Sequence, residues 1–252
     1  MTSWQQPAIV LDARPYGEND VIATVLTPEG GAWRGLGRGG SGRRGSATWQ
    51  VGNLIHAQWT ARLSDQLGTL SAEPAAQPAA GVMDDAMALA VLTGMCAVAA
   101  GALPEREPQP RMFVILADLL TRLAPGQPRL AEAIRWEAAL LDALGYGLNL
   151  AACALTGTAD DLAWVSPRTG QAISADAANS PTAAKFRDRL LPLPALLLDD
   201  RDFGDAAQWA DGLRLTGHFL ARDAFGATHR PLPPARIALY DRVMRLSGHA
   251  DG

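Results

Sequence analysis

An α+β chain is what the sequence predicts: a small closed β-barrel first, then a mainly α-helical domain. Three observations carry this. Five short strand signals crowd the first seventy or so residues. The stretch Glu73-Pro74-Ala75-Ala76-Gln77-Pro78-Ala79-Ala80-Gly81 then breaks the pattern with two prolines among small residues. Beyond it, the apolar spacing changes to that of a helix.

The strands follow in order. Pro7–Ala13 carries Ile9, Val10 and Leu11, and Asp20–Thr27 carries Val21, Ile22, Val25 and Leu26. Tyr16-Gly17-Glu18-Asn19-Asp20 between them is a turn signal. Gly31–Arg38 is the third strand and Gln66–Glu73 the fifth. In the fourth, Gln50–Ala61, the residues Ile55, Ala57, Trp59 and Ala61 alternate with polar ones, which places Trp59 in the core. Five short strands suit a closed barrel, and the common five-stranded one is the OB-fold.

The break at 73–81 is expected to be a linker, with a barrel domain at 1–76 and a helical domain at 77–252. Helical spacing runs through Met112, Leu116, Leu119 and Leu123, and again through Ala133, Trp136, Leu140 and Leu144, where Gly145 ends it. Gln208–Leu220 and Pro234–Leu246 also read as helix. Asp84-Asp85 favours a helix start. An irregular insert at about 150–181 is rich in Ser, Thr, Gly and Asp. Ala86 to Pro104 is uncharged, but its Ala and Gly content fits a buried helix better than a membrane span.

At 252 residues and 48% apolar content the chain can bury a proper core. A net charge of −4 argues against a uniformly basic nucleic-acid binder. The distribution changes that reading, because Gly30 to Ser64 holds five arginines and no acid. Four of them lie in Arg34-Gly-Leu-Gly-Arg38-Gly-Gly-Ser-Gly-Arg43-Arg44-Gly45. Gly35, Gly37 and Gly40 match G-x-G-x-x-G, but that fingerprint needs a helix at its third glycine. The residues that follow are too glycine-rich to open one, so a flexible basic strap is expected. Arg34, Arg38, Arg43 and Arg44 are then the candidate phosphate contacts. Trp49 beside the strap is the best candidate for stacking on a base, whereas Trp33 and Trp136 are expected in the core.

Catalytic signatures are missing. The four histidines form no H-E-x-x-H, and G-x-S-x-G does not occur. Asp199–Asp205 is similar to a calcium loop, but Arg201 and Phe203 fall on ligand positions. Cys96 and Cys153 form no C-x-x-C, and a reducing cytosol is the simple expectation.

In order and spacing, a set of short motifs resembles the bacterial RecO family. They are Tyr16-Gly17-Glu18-Asn19-Asp20, Thr27-Pro28-Glu29-Gly30, Arg38-Gly39, Leu67-Gly68-x-Leu70-x-x-Glu73, Leu103-Pro104-Glu105-Arg106-Glu107, Trp136-Glu137-x-x-Leu140-Leu141-x-x-Leu144-Gly145 and Val165-Ser166-Pro167-Arg168-x-Gly170. The resemblance implies an OB-fold, a helical domain and a small zinc-binding insert. It further implies a non-catalytic mediator of DNA repair and recombination, working in the cytoplasm at the nucleoid. Such a protein binds single- and double-stranded DNA, anneals complementary strands and, with RecR, loads RecA onto DNA coated with SSB, whose tail contacts the helical domain. An RNA-binding OB protein is the alternative, because a barrel reads much the same for either polymer. The insert departs from the family. Where many members carry two C-x-x-C pairs, this chain has Cys153 and Thr156, then Ser174 and Ala177. One thiolate of four cannot hold tetrahedral zinc, so no cofactor is expected.

Overall fold

The structure is a computed structural model and describes residues 2–63, 66–181, 183 and 185–248. It has two compact units. The first holds residues 1–129 with 233–236, and the second holds 130–232 with 237–252.

The barrel opens the first unit. Strands β1 (Thr2–Tyr16), β2 (Asp20–Thr27), β3 (Gly31–Gly37), β4 (Leu54–Ala61) and β5 (Thr69–Ala76) close in the order β1-β2-β3-β5-β4. All pairings are antiparallel except β3 with β5. A short helix, α1 (Arg43–Thr48), joins β3 to β4. This is an OB-like barrel, as the five strand signals predict. The interior is filled by the alternating residues Ala8, Val10, Val21, Ala23, Val25, Ile55, Ala57, Trp59 and Leu70. Ile9 and Leu11, on the opposite face of β1, are equally buried. The helix α3 (Ala86–Ala102) packs on β1 and β2 and accounts for that continuous apolar run.

The stretch expected as a linker is ordered instead. β5 runs through Pro74 to Ala76, and α2 (Pro78–Val82) begins two residues later. Pro74 is tolerated because the β4–β5 register shifts beside it, between Leu54 and Ile55. Asp85 caps α3, its Oδ1 accepting from the amides of Met87 and Ala88 at 2.9 Å. The helix α4 (Pro110–Arg122) buries Met112, Leu116 and Leu119, as their spacing predicts. No helix among the described residues is long and apolar enough to cross a membrane.

The second unit is built on α5 (Leu130–Ala143), α7 (Ala206–Phe219) and the later part of α8 (Pro234–Leu246). Trp136 is fully buried on α5. Gly212 lets α7 approach α5, since a Cβ there would stand 3.0 Å from Ile134. Arg135 donates to the carbonyls of Leu196, Asp199 and Asp202 and so holds the acidic loop that precedes α7. The insert is more regular than its composition predicts. β6 (Leu162–Val165), β7 (Ala172–Ser174) and β8 (Leu191–Pro192) form a three-stranded sheet in the order β7-β6-β8, and α6 (Ala175–Ala178) follows β7.

Candidate nucleic-acid interface

Alternation along β3 sorts its side chains. Arg34 and Leu36 point outward, and Trp33 turns in against Trp4 and Trp59, with ring centroids 5.4 and 4.7 Å away. Trp59 is fully buried, and its Nε1 donates to the carbonyls of Arg34 and Leu67 at 3.2 and 3.0 Å. Trp33 is half-buried, with its Nε1 donating to Gly30 at 2.7 Å.

The strap reading needs correcting. Arg43–Thr48 is helical, and Gly37, Gly40 and Gly45 make room for close packing. A Cβ on Gly40 would lie 2.5 Å from Val21, and one on Gly45 would lie 2.3 Å from the Gly39 carbonyl oxygen. The segment is also tied to the β1–β2 turn. Gly39 N donates to Asp20 Oδ1 at 2.8 Å, and Ser41 N donates to the Asn19 carbonyl at 2.9 Å. Composition counts glycines but not the atoms they touch, so the sequence read flexibility where the fold uses space.

Trp49 is corrected as well. It is 6% exposed and belongs to the barrel core, where Gly37 and Gly40 approach its ring. Little of this ring reaches the surface, so Trp49 anchors the turn and offers at most a small part of a contact surface.

Arg34 and Arg38 are both exposed, as their place on the outer face requires. Of Arg43 and Arg44 only the backbone is described, and their side chains lie outside the described residues. Residues 105–107, which lie far along the chain from the arginine-rich window, complete this side of the barrel. Glu105 pairs with Ala32 as an isolated bridge, and Arg106 N donates to the Ala32 carbonyl at 2.9 Å. Gly31 has φ +67°, and the backbone of Glu107 crosses it, leaving no room for a side chain. This segment brings the Arg106 guanidinium 4.9 Å from the Trp33 ring centroid, and Glu105 within 4.0 Å of Arg34. The window that is free of acids in sequence therefore meets Glu105 and Asp20 in space.

In the insert, Cys153, Ala177, Ile173, Ala178 and Leu190 form one small apolar core. The four positions expected to match zinc ligands do come together, but with the wrong chemistry. Ser174 Oγ donates to Cys153 Sγ at 3.6 Å while accepting from Ala177 N at 3.3 Å, and Ala177 contributes only a methyl. Burial raises the Cys153 pKa, but hydrogen bonds from Thr156, Ser174 and Leu155 outweigh it and bring the thiol down to about 6. Burial alone pushes Cys96 up to about 12. Neither this set nor any group of three or more His, Cys, Asp or Glu among the described residues could hold a metal ion.

The comparisons agree with this architecture. Residues 1–78 match the family described as Recombination protein O N terminal, and residues 83–230 match Recombination protein O C terminal. The chain is 55% identical over 246 residues to the DNA repair protein RecO of Granulibacter bethesdensis, covering 97% of this chain and 96% of that one. It is 54% identical over 248 residues to the protein of the same name from Gluconacetobacter diazotrophicus, with 96% of each chain covered. With that of Acidiphilium cryptum it shares 54% over 252 residues, covering 98% of each. A barrel and a helical domain matched in turn, and identity above half over nearly the whole length, place this chain in the RecO family of DNA repair and recombination proteins.

Proposed function

We propose that this protein is a non-catalytic recombination mediator that binds single- and double-stranded DNA, anneals complementary strands and, with RecR, helps load RecA onto SSB-coated DNA. The barrel at 1–76 serves as the DNA-binding part. The region 77–252 serves the protein partners, including the acidic SSB tail, and the insert works without zinc. The protein acts in the cytoplasm, at the nucleoid. The observation that carries the reading is the row of cations along β3 and its turn, in a chain of the RecO family. Arg34, Arg38, Arg43 and Arg44 are its proposed phosphate contacts, with Trp49 holding their turn in place. Arginine binds phosphate through charge and paired hydrogen bonds without reading bases. An annealing factor needs that indifference to sequence.

The test is annealing of complementary SSB-coated oligonucleotides with and without RecR, followed by RecA filament formation. Faster annealing and RecA loading in the presence of this protein are expected. Annealing no faster than with SSB alone would sink the reading. Parallel titration with RNA of the same sequence should show weaker binding, and a strong RNA preference would favour the alternative polymer.

A further inference from the structure

β3 and β5 pair at only two positions, Leu36 with Thr69 and Gly37 with Leu70. Past Gly37 the chain turns away into the glycine-rich segment, while β5 continues through Ser71 and Ala72 against β4. The helix α1 lies against β5 beside the opening. What remains is an open cleft of about 350 Å³, lined by residues from both sides. That is near the lower end of small-molecule sites, which run roughly 300–1,000 Å³.

The lining divides by chemistry. Leu70 and Trp49 are 2% and 6% exposed and, with the half-buried Ala72, make an apolar floor. Thr69 and Ser71 bring hydroxyls to the rim, and Arg38 brings an exposed guanidinium. Arg38 has no ion pair or side-chain hydrogen bond among the described residues, unlike Arg34 with its Glu105. No described carboxylate lines the cleft. Beyond Leu70, β5 also has no strand on this side, so its backbone amides and carbonyls form a short open edge.

We propose that this cleft seats one nucleotide of a bound single strand. The base lies over Leu70, Ala72 and Trp49, and the phosphate meets Arg38. An apolar floor under a cationic rim suits a planar ring that carries an anion. Hydroxyls both donate and accept, so the site takes any base and fixes its stacking without choosing its identity. The inference rests on the DNA-binding reading above and adds a base contact to its phosphate contacts.

The test compares the full-length protein on fluorescein-labelled (dT)12 with an abasic deoxyribose-phosphate strand of the same length and charge. Base stacking on protein is worth about 1–3 kcal/mol per base, so (dT)12 should bind about five- to 150-fold more tightly. Ala72→Phe, which fills the cleft, should remove that preference, bringing (dT)12 affinity down to that of the abasic strand. Ser71→Tyr, at an exposed position, repeats the obstruction if Ala72→Phe folds poorly. Equal binding of both strands by the wild type overturns the cleft, while a steep salt dependence in the same titrations would still support phosphate contact. A base preference that survives both substitutions places stacking elsewhere and also overturns it. Free dTMP binding as tightly as (dT)12 would make this a mononucleotide site and overturn its role in strand binding. Binding of either strand without salt dependence would sink the underlying DNA-binding reading itself.

Discussion

Trp59 is tied both to β3 and to the turn before β5, because its single N–H serves the carbonyls of Arg34 and Leu67. Trp59→Phe keeps most of the apolar volume and leaves both oxygens without that donor. A loss of about 1–3 kcal/mol in urea unfolding is expected, the usual cost of buried unsatisfied groups. Arg34 and Glu105 make the opposite case, since their side chains are 55% and 61% exposed at 4.0 Å. Such a pair adds little stability, yet the carboxylate repels a phosphate backbone. Glu105→Gln should therefore leave the melting temperature nearly unchanged and tighten oligonucleotide binding at low salt. Weaker or equal affinity in fluorescence anisotropy would show that the strand does not pass this side of β3. For Arg43→Ala with Arg44→Ala, the slope of log K against log salt should flatten by up to ~1.4, about 0.7 per lost phosphate contact on single strands. The loss should be alike for poly-dT and mixed sequence, and an unchanged slope would move the interface elsewhere.

The turn from Gly37 to α1 behaves as a packed element, and its glycines are not interchangeable. Gly45→Ala adds helix propensity worth about 1 kcal/mol, but the new methyl meets the backbone of Gly39 and Gly40 at 2.3 and 2.7 Å. Backbone cannot rotate aside, so overpacking should win by roughly 1–3 kcal/mol. At Gly42 a Cβ has only the Gly39 oxygen at 3.4 Å, and Gly42→Ala should cost less than about 1 kcal/mol. Thermal melts of the two variants check the contrast, and equal melting temperatures would restore the picture of a loose loop. Asp85 is the corresponding device for α3. Its carboxylate accepts from Gly126 N at 2.7 Å, besides capping the helix, and these bonds hold its pKa below the ordinary 3.8. A depressed carboxylate pKa stabilises the fold above the unfolded value and loses that effect as pH falls through the folded one. Asp85→Ala should thus cost about 1–2 kcal/mol at neutral pH, with the gap to wild type closing below pH 3.8. A gap independent of pH between 7 and 3 would count against the charged cap.

For the molecule as a whole, the insert decides whether the fold depends on metal. Cys153 sits in an apolar cluster with hydroxyl partners where three further soft ligands would be required. Elemental analysis after mild chelation should find far less than one zinc per chain, and the melting curve should not respond to chelator. Stoichiometric zinc, with unfolding on its removal, would mean that ligands come from outside this set.

Local patterns determined a good deal by themselves. Strand alternation placed Trp59, Ile55 and Ala57 inside the barrel, and helical spacing placed Met112, Leu116 and Trp136, because side-chain direction follows from backbone period alone. The cap at Asp85 and the bounds of α8 were legible for the same reason. Tertiary structure decided what depends on neighbours distant in sequence. It buried Trp49, folded the glycine-rich segment against Val21 and Asp20, and ordered the proline-punctuated break as strand and helix. It also set Glu105 beside Arg34 and left Arg38 at an open cleft that no described carboxylate lines. Composition along a window sums charge and glycine by chain position, whereas electrostatic repulsion and steric fit act through space, across the 71 residues that separate Arg34 from Glu105.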